Sequence, residues 1–180
     1  MSTWIALFRG INVGGKNILP MAKLKEDCAA LKFKNVRTYI QSGNVVFESA
    51  AKKPEPLRKK IRARVQSQHG FQPQVLLLQA DDLEAAIKAN PFAAPPDPKS
   101  LHFFFLDRPA TDADMEKIAA TCAATEEFQL TERVFYLHAP DGIGRSKLAA
   151  NVERHLGVVT TARNYRTVEK LRAMLDQPTS

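Results

Sequence analysis

Three short stretches set positive side chains beside glycines or hydroxyls, just ahead of segments with helical periodicity. The first is Arg9-Gly10-Ile11-Asn12-Val13-Gly14-Gly15-Lys16-Asn17. The second is Gly142-Ile143-Gly144-Arg145-Ser146-Lys147, and the third is Thr160-Thr161-Ala162-Arg163-Asn164-Tyr165-Arg166-Thr167. Cations close to unpaired backbone N–H groups suit a negatively charged ligand, because amides and side chains neutralise it together. The candidate ligand-binding residues are therefore Arg9, Gly14, Gly15, Lys16 and Asn17, then Arg145, Ser146 and Lys147, then Arg163 and Asn164. Arg145 and Lys147 oppose the dipole of the helix they precede, a conflict that an anion would relieve. Ser146, and Thr161 or Asn164, serve equally well as ordinary helix caps.

Gly10 to Lys16 also matches G-x-x-x-x-G-K, the pattern of a nucleoside-triphosphate loop. The match fails at Asn17, which stands where a Ser or Thr hydroxyl would bind magnesium. Pro20 delays the helix by several residues, whereas a phosphate loop needs helical N–H groups at the Gly-Lys itself. Phe103-Phe104-Phe105-Leu106-Asp107 imitates the apolar strand ending in Asp that would complete such a site, but it belongs to the other half of the chain. The glycines then either form an anion nest with Lys16 or simply permit an irregular connection with positive φ.

Other chemistries leave no signature. There is no G-x-S-x-G elbow, and Cys28 and Cys122 fall in helical segments outside any C-x-x-C, as expected of free thiols in a reducing cytosol. His69, His102, His138 and His155 lack metal-ligand spacing. The expectation is no metal, no cofactor and no recognisable catalytic group. The carboxylate pairs Asp81-Asp82 and Glu126-Glu127 read as caps or solvated loops. An RNA-recognition module would need stacking aromatics on its first and third strands. Phe8 and Phe47 fall there, but the Gly-aromatic core of that motif is missing around Phe47, and both read as core.

The elements that must carry these stretches follow from periodicity. Thr3–Arg9 reads as a buried strand, and Met21, Leu24, Cys28 and Leu31 recur at helical spacing. Val36–Gln41 and Val45–Glu48 flank a hairpin turn at Ser42-Gly43-Asn44. Leu57, Ile61 and Val65 form the stripe of a helix ended by Gly70, surrounded by Arg58, Lys59, Lys60, Arg62 and Arg64, and Val75–Leu78 is a strand. This βαββαβ order is the ferredoxin-like plan. Asp81–Asn90 reads as a helix, and four prolines mark residues 91–98 as a linker. The pattern then restarts: strand 101–106, helix 112–122 capped by Thr111 or Asp112, strands 128–130 and 134–137, and a helix from Ser146 to His155. A short strand at 158–160 and a last helix bearing Val168, Leu171 and Leu175 complete it.

The expected protein is thus α+β, with two ferredoxin-like βαββαβ-type subdomains whose antiparallel sheets carry helices on one face. Residues 1–79 form a basic subdomain, 80–98 a connecting helix and Pro-rich linker, and 99–180 a divergent repeat with an extra helix. Residues 1–79 hold 14 Lys and Arg against 4 Asp and Glu, while 80–180 hold 12 against 15. Such asymmetry points to an anionic partner for the first half, to attraction between the halves, or to a well-solvated surface. No apolar run reaches the ~20 residues needed to span a bilayer, and no secretory leader opens the chain, so a cytoplasmic protein is expected.

Ala6 to Asn17, Pro20-Met21 and Tyr39-Ile40-Gln41-Ser42-Gly43-Asn44-Val45-Val46-Phe47 resemble the signature of the family called domain of unknown function 1697. Gly144 to Leu148 and Thr161 to Tyr165 resemble its C-terminal motifs. The resemblance implies a bacterial cytoplasmic protein of ferredoxin-like subdomains and assigns no activity, cofactor or residue role. Three functions are consistent with the residues. The first is a binding module for nucleic acid or a phosphorylated small molecule. The second is an enzyme on a phosphate-bearing substrate, and the third is a protein-interaction module.

Overall fold

The structure, a computed structural model, describes residues 1–177. The first half forms β1 (Ser2–Arg9), α1 (Met21–Ala30), β2 (Lys34–Tyr39), β3 (Asn44–Ser49), α2 (Pro54–His69) and β4 (Gln74–Gln79). After α3 (Ala80–Lys88) come β5 (Leu101–Leu106), α4 (Met115–Thr121), β6 (Glu127–Leu130), β7 (Val134–His138), α5 (Lys147–Leu156), β8 (Thr160–Asn164) and α6 (Tyr165–Leu175). The strands make two four-stranded antiparallel sheets, ordered β2-β3-β1-β4 and β6-β7-β5-β8. The two orders correspond strand for strand, so two ferredoxin-like subdomains follow one another in the chain. By contact the chain divides into two compact units, Met1–Glu84 joined by the segment from Leu171, and Ala85–Lys170.

In the first unit, alternate residues of the central strand, Trp4, Ala6 and Phe8, meet Val45, Phe47, Val75 and Leu77 under Leu24 and Cys28 of α1 and Leu57, Ile61 and Val65 of α2. The three-residue apolar stripe of α2 suffices because its remaining surface faces water, and Gly70 at φ 82° closes the helix in the left-handed conformation. One polar contact crosses the helix layer. The buried Asp27 carboxylate of α1 accepts from Arg64 Nε at 2.8 Å and meets His69 Nε2 at 2.7 Å, both on α2. Arg37 of β2 donates to the Met174 carbonyl and Arg172 pairs with Glu84 at 2.9 Å, tying the returning segment to the first unit.

The second unit repeats the layer with Phe104, Leu106, Phe135 and Leu137 under Ile118 of α4 and Leu148, Val152 and Leu156 of α5. Two local expectations are corrected here. The helix expected from residue 112 starts at Met115, because Asp114, not Thr111 or Asp112, accepts from the Lys117 N–H as its cap. The short strand expected at 158–160 is instead β8, Thr160–Asn164, fully paired with β5. Hydroxylated and cationic residues had masked its alternation, and pairing in the sheet overrides that weak signal.

Candidate anion-binding loops

β1 runs out of its sheet at Arg9, and the chain does not enter α1 until Met21. Between them residues 12–17 fold into a short antiparallel ribbon. Val13 and Lys16 bridge, with the Lys16 N–H donating to the Val13 carbonyl at 3.1 Å, and the Asn12 N–H donates to the Asn17 carbonyl at 3.1 Å. Gly14 and Gly15, at φ 59° and 71°, are the two central residues of the turn, both left-handed as a two-residue hairpin loop requires. The ribbon's geometry is incompatible with a phosphate loop, whose amides must continue into a helix.

Side-chain amides hold the ribbon in place. Asn12 Nδ2 donates to the carbonyls of Leu19 and Gln41, each at 2.9 Å, and Asn12 Oδ1 accepts from the Leu19 N–H at 2.7 Å. Asn17 Nδ2 donates to the Gly10 carbonyl at 3.0 Å. Both asparagines have positive φ, 54° and 51°, a conformation that short polar side chains tolerate better than others. The bond to Gln41 joins the ribbon to the β2–β3 turn, where Ile40 also has a positive φ of 49°. At a β-branched residue that is a strained backbone. The turn is seated by Gly43, whose carbonyl accepts from the Phe8 N–H at 2.8 Å and whose missing Cβ would lie 2.6 Å from Ile11 Cδ1 and Phe8 Cβ.

The outer surface of this pair of loops is exposed along residues 13–18 and 40–42, with Arg9 and Lys16 as its cations. Val13, Ile18 and Ile40 are 67%, 57% and 47% exposed, three of the six large hydrophobic residues most open to solvent among the described residues. Sequence reasoning picked out Arg9, Gly14, Gly15, Lys16 and Asn17 but missed Asn12, the bracing residue, and the three apolar side chains. The signal was available: Gly-Gly flanked by Val and Lys and then by two asparagines is the pattern of a hairpin, not of a phosphate loop.

The second and third stretches lie in the other unit and share one end of its sheet. β7 leaves the sheet at His138, opposite Leu101 at the start of β5, and β8 finishes at Asn164, opposite His102. Between β7 and α5, Ile143–Arg145 form a single 3-10 turn, and Arg145 and Lys147 are exposed. Ser146 caps α5, its Oγ accepting from the Ala149 N–H at 2.9 Å, and Asn164 Oδ1 accepts from the Thr167 N–H at 3.0 Å. Arg163 is within β8, opposite Phe103, and is buried. It donates to the Ala162 carbonyl at 2.8 Å, and burial pushes its guanidinium down to about 10. The two glycine loops are alike in composition but not in place: the first follows the opening strand of its unit, the second precedes the second helix.

Phe8 and Phe47 belong to the core beneath the helices, so neither is presented for stacking. Cys28 is buried, and desolvation followed by the Asp27 charge pushes its thiol up to about 12. Among the described residues no group of three or more His, Cys, Asp or Glu is arranged to hold a metal, and no helix is long and apolar enough to cross a membrane.

Two tandem ferredoxin-like units, the first with a braced glycine ribbon after its opening strand, define the class of α+β protein to which this chain belongs. Its family is the one described as Protein of unknown function (DUF1697), whose pattern matches residues 1–136, and the chain is a member of it. It is also similar to the structure of conserved bacterial protein SP0830 from Streptococcus pneumoniae. The two share 26% identity with a TM-score of 0.72, over 97% of this chain and 99% of that one. No curated protein matches the chain. The family match takes in the ribbon and the β2–β3 turn but ends before the two C-terminal stretches, which the structural likeness spans.

Proposed function

We propose that the protein is a binding module for an anionic ligand, engaged through the ribbon of residues 9–17. The observation that carries the reading is a rigid, exposed tip with Lys16 on it, in a half of the chain that holds 14 Lys and Arg against 4 Asp and Glu. Rigidity matters because a loop already fixed by Asn12 and Asn17 loses little further freedom on binding. The tip residues stand exposed to water, whereas a small phosphorylated molecule needs a concave site that covers most of its surface. A polyanion that lies along the surface fits better, and nucleic acid is the obvious one. Lys59 and Lys60 on α2 are further exposed cations of the same half, while Lys52 and Lys53 follow β3 at the end of the sheet away from the ribbon.

The test is titration of a labelled oligonucleotide with the full chain across about 50 to 200 mM salt. Log affinity should fall linearly with log salt, and Lys16→Ala should lower the slope by about 0.7–0.9, the share of one phosphate. Affinity independent of salt would overturn the reading. Turnover of a phosphorylated compound that Lys16→Ala abolishes, with the fold intact, would favour an enzyme instead.

A further inference from the structure

Phosphate contacts explain cations on the ribbon, but not the aliphatic side chains between them. Val13 and Lys16 are cross-strand partners, so they project from the same face of the ribbon, an apolar group beside a positive one. Ile18 is a second exposed aliphatic residue on the same loop, and Ile40 a third on the β2–β3 turn, beside Gln41, the residue to which Asn12 fastens the ribbon. Exposed aliphatic groups on a braced loop contribute binding only where a partner removes them from water.

Resting on the anion-binding reading, we propose that this partner is duplex DNA and that the ribbon tip enters a groove. Lys16 and Arg9 would meet phosphates, and Val13 and Ile18 would touch base edges or wedge a base step. Three observations favour the duplex over a single strand or a protein. Single strands are held by stacking on exposed aromatic rings, yet the large hydrophobic residues most open to solvent here are Met, Val and Ile. Aliphatic side chains, by contrast, serve as groove wedges and as partners of thymine methyl groups. The tip is also slim: its two turn residues are glycines with nothing within 4 Å of the missing Cβ, and a two-stranded ribbon fits the major groove of B-form DNA. Charge favours nucleic acid, since this half of the chain carries an excess of positive residues that a phosphate backbone complements; an acidic protein surface is the alternative that the experiment separates.

The experiment compares the unmodified chain, Val13→Ser/Ile18→Ser and Lys16→Ala by fluorescence anisotropy. The probes are a DNA duplex, its single strand and an RNA duplex of the same sequence, over the same salt range, with circular dichroism to verify folding. The double variant should weaken duplex binding roughly tenfold with its salt slope unchanged, because apolar contact is lost and phosphate contact is kept. DNA duplex should bind more tightly than the single strand or the RNA duplex. Equal affinity of the double variant and the unmodified chain, with the salt slope still present, would overturn the groove contact and leave the anion reading standing. Preference for the single strand or for RNA would overturn the duplex. If no nucleic acid binds with any salt dependence, both readings fail. An oligomer or a stable protein complex dissolved by the double variant would then mark the tip as a protein-docking surface.

Discussion

The two glycine loops, residues 10–17 and 142–147, read alike and are built differently. The first uses no helix dipole and no cap. It is a freestanding ribbon closed by two asparagine side chains and seated on a turn that tolerates no Cβ at Gly43. The second is one 3-10 turn that delivers the chain to Ser146, and Ser146 starts α5 by capping it. A glycine-cation pattern therefore specifies a local backbone freedom, and the neighbouring asparagine or serine decides what is done with it. In the first loop Asn12 and Asn17 hold positive φ, as does Ile40 in the turn that seats it, whereas among residues 142–147 only Gly142 has a positive φ.

The sharpest way to break that comparison is at glycine. Gly43→Ala puts a methyl 2.6 Å from both Ile11 Cδ1 and Phe8 Cβ at φ 83°, so both packing and backbone suffer. A loss of about 3 kcal/mol in urea unfolding is expected. Gly144 has an ordinary φ and nothing within 4 Å of the position an added methyl would take, so Gly144→Ala should stay within about 0.5 kcal/mol. Equal effects of the two alanines would mean that the first loop is no more constrained than the second.

In their buried weak acids the two units are alike. Each buries a weak acid that it keeps neutral: the Cys28 thiol, raised by burial from 9.0 to about 12, and the Tyr136 phenol, raised by burial from 10.0 to about 12. The Tyr136 hydroxyl donates to the Ala86 carbonyl at 2.6 Å. Since the folded state raises both values, their stabilisation is complete below the unfolded pKa and is lost as pH climbs towards 12. Stability should therefore decline from about pH 9 in the wild type. Cys28→Ala should remove the earlier part of the decline and Tyr136→Phe the later part. Denaturant midpoints followed from about pH 8 upward check this, and identical profiles for wild type and both variants would count against buried neutral acids.

Much of the fold was legible because apolar spacing reports burial directly. The stripe Leu57, Ile61 and Val65 located α2, and Gly70 its end. What the spacing concealed was of two kinds. β8 carries Thr160, Thr161 and Arg163 at buried positions, so polarity disguised a strand whose place is fixed by pairing with β5. Asp27, in turn, occupies the apolar stripe of α1 between Leu24 and Cys28 and is satisfied by Arg64 and His69, which are distant in the chain. No local pattern announces such a partner. At the candidate site the cations and glycines were legible from type alone. The ribbon was not, because glycines with positive φ serve an irregular connection as well as a hairpin, and the asparagine bonds that fix the hairpin reach Leu19 and the distant Gln41.

Those asparagines supply the smallest and most discriminating contrast. Asn12→Ala removes the bonds donated to Leu19 and Gln41 and the one accepted from Leu19, leaves the Leu19 N–H unpaired, and places alanine at φ 54°. A cost of about 2–3 kcal/mol follows from the lost bonds and the unpaired donor. Ser146→Ala removes one capping bond, from the Ala149 N–H, at the start of a helix, and should cost about 1 kcal/mol. Stability alone does not separate a brace from a cap, but the site of the disturbance does. Amide exchange in Asn12→Ala should rise over residues 10–19 and 40–44 together, because one side chain fastens both loops. In Ser146→Ala it should rise only over the first turn of α5. If Asn12→Ala loosened 10–19 and left the β2–β3 turn protected, the two loops would not be one rigid platform, and the proposed binding at the tip would lose the preorganisation it invokes.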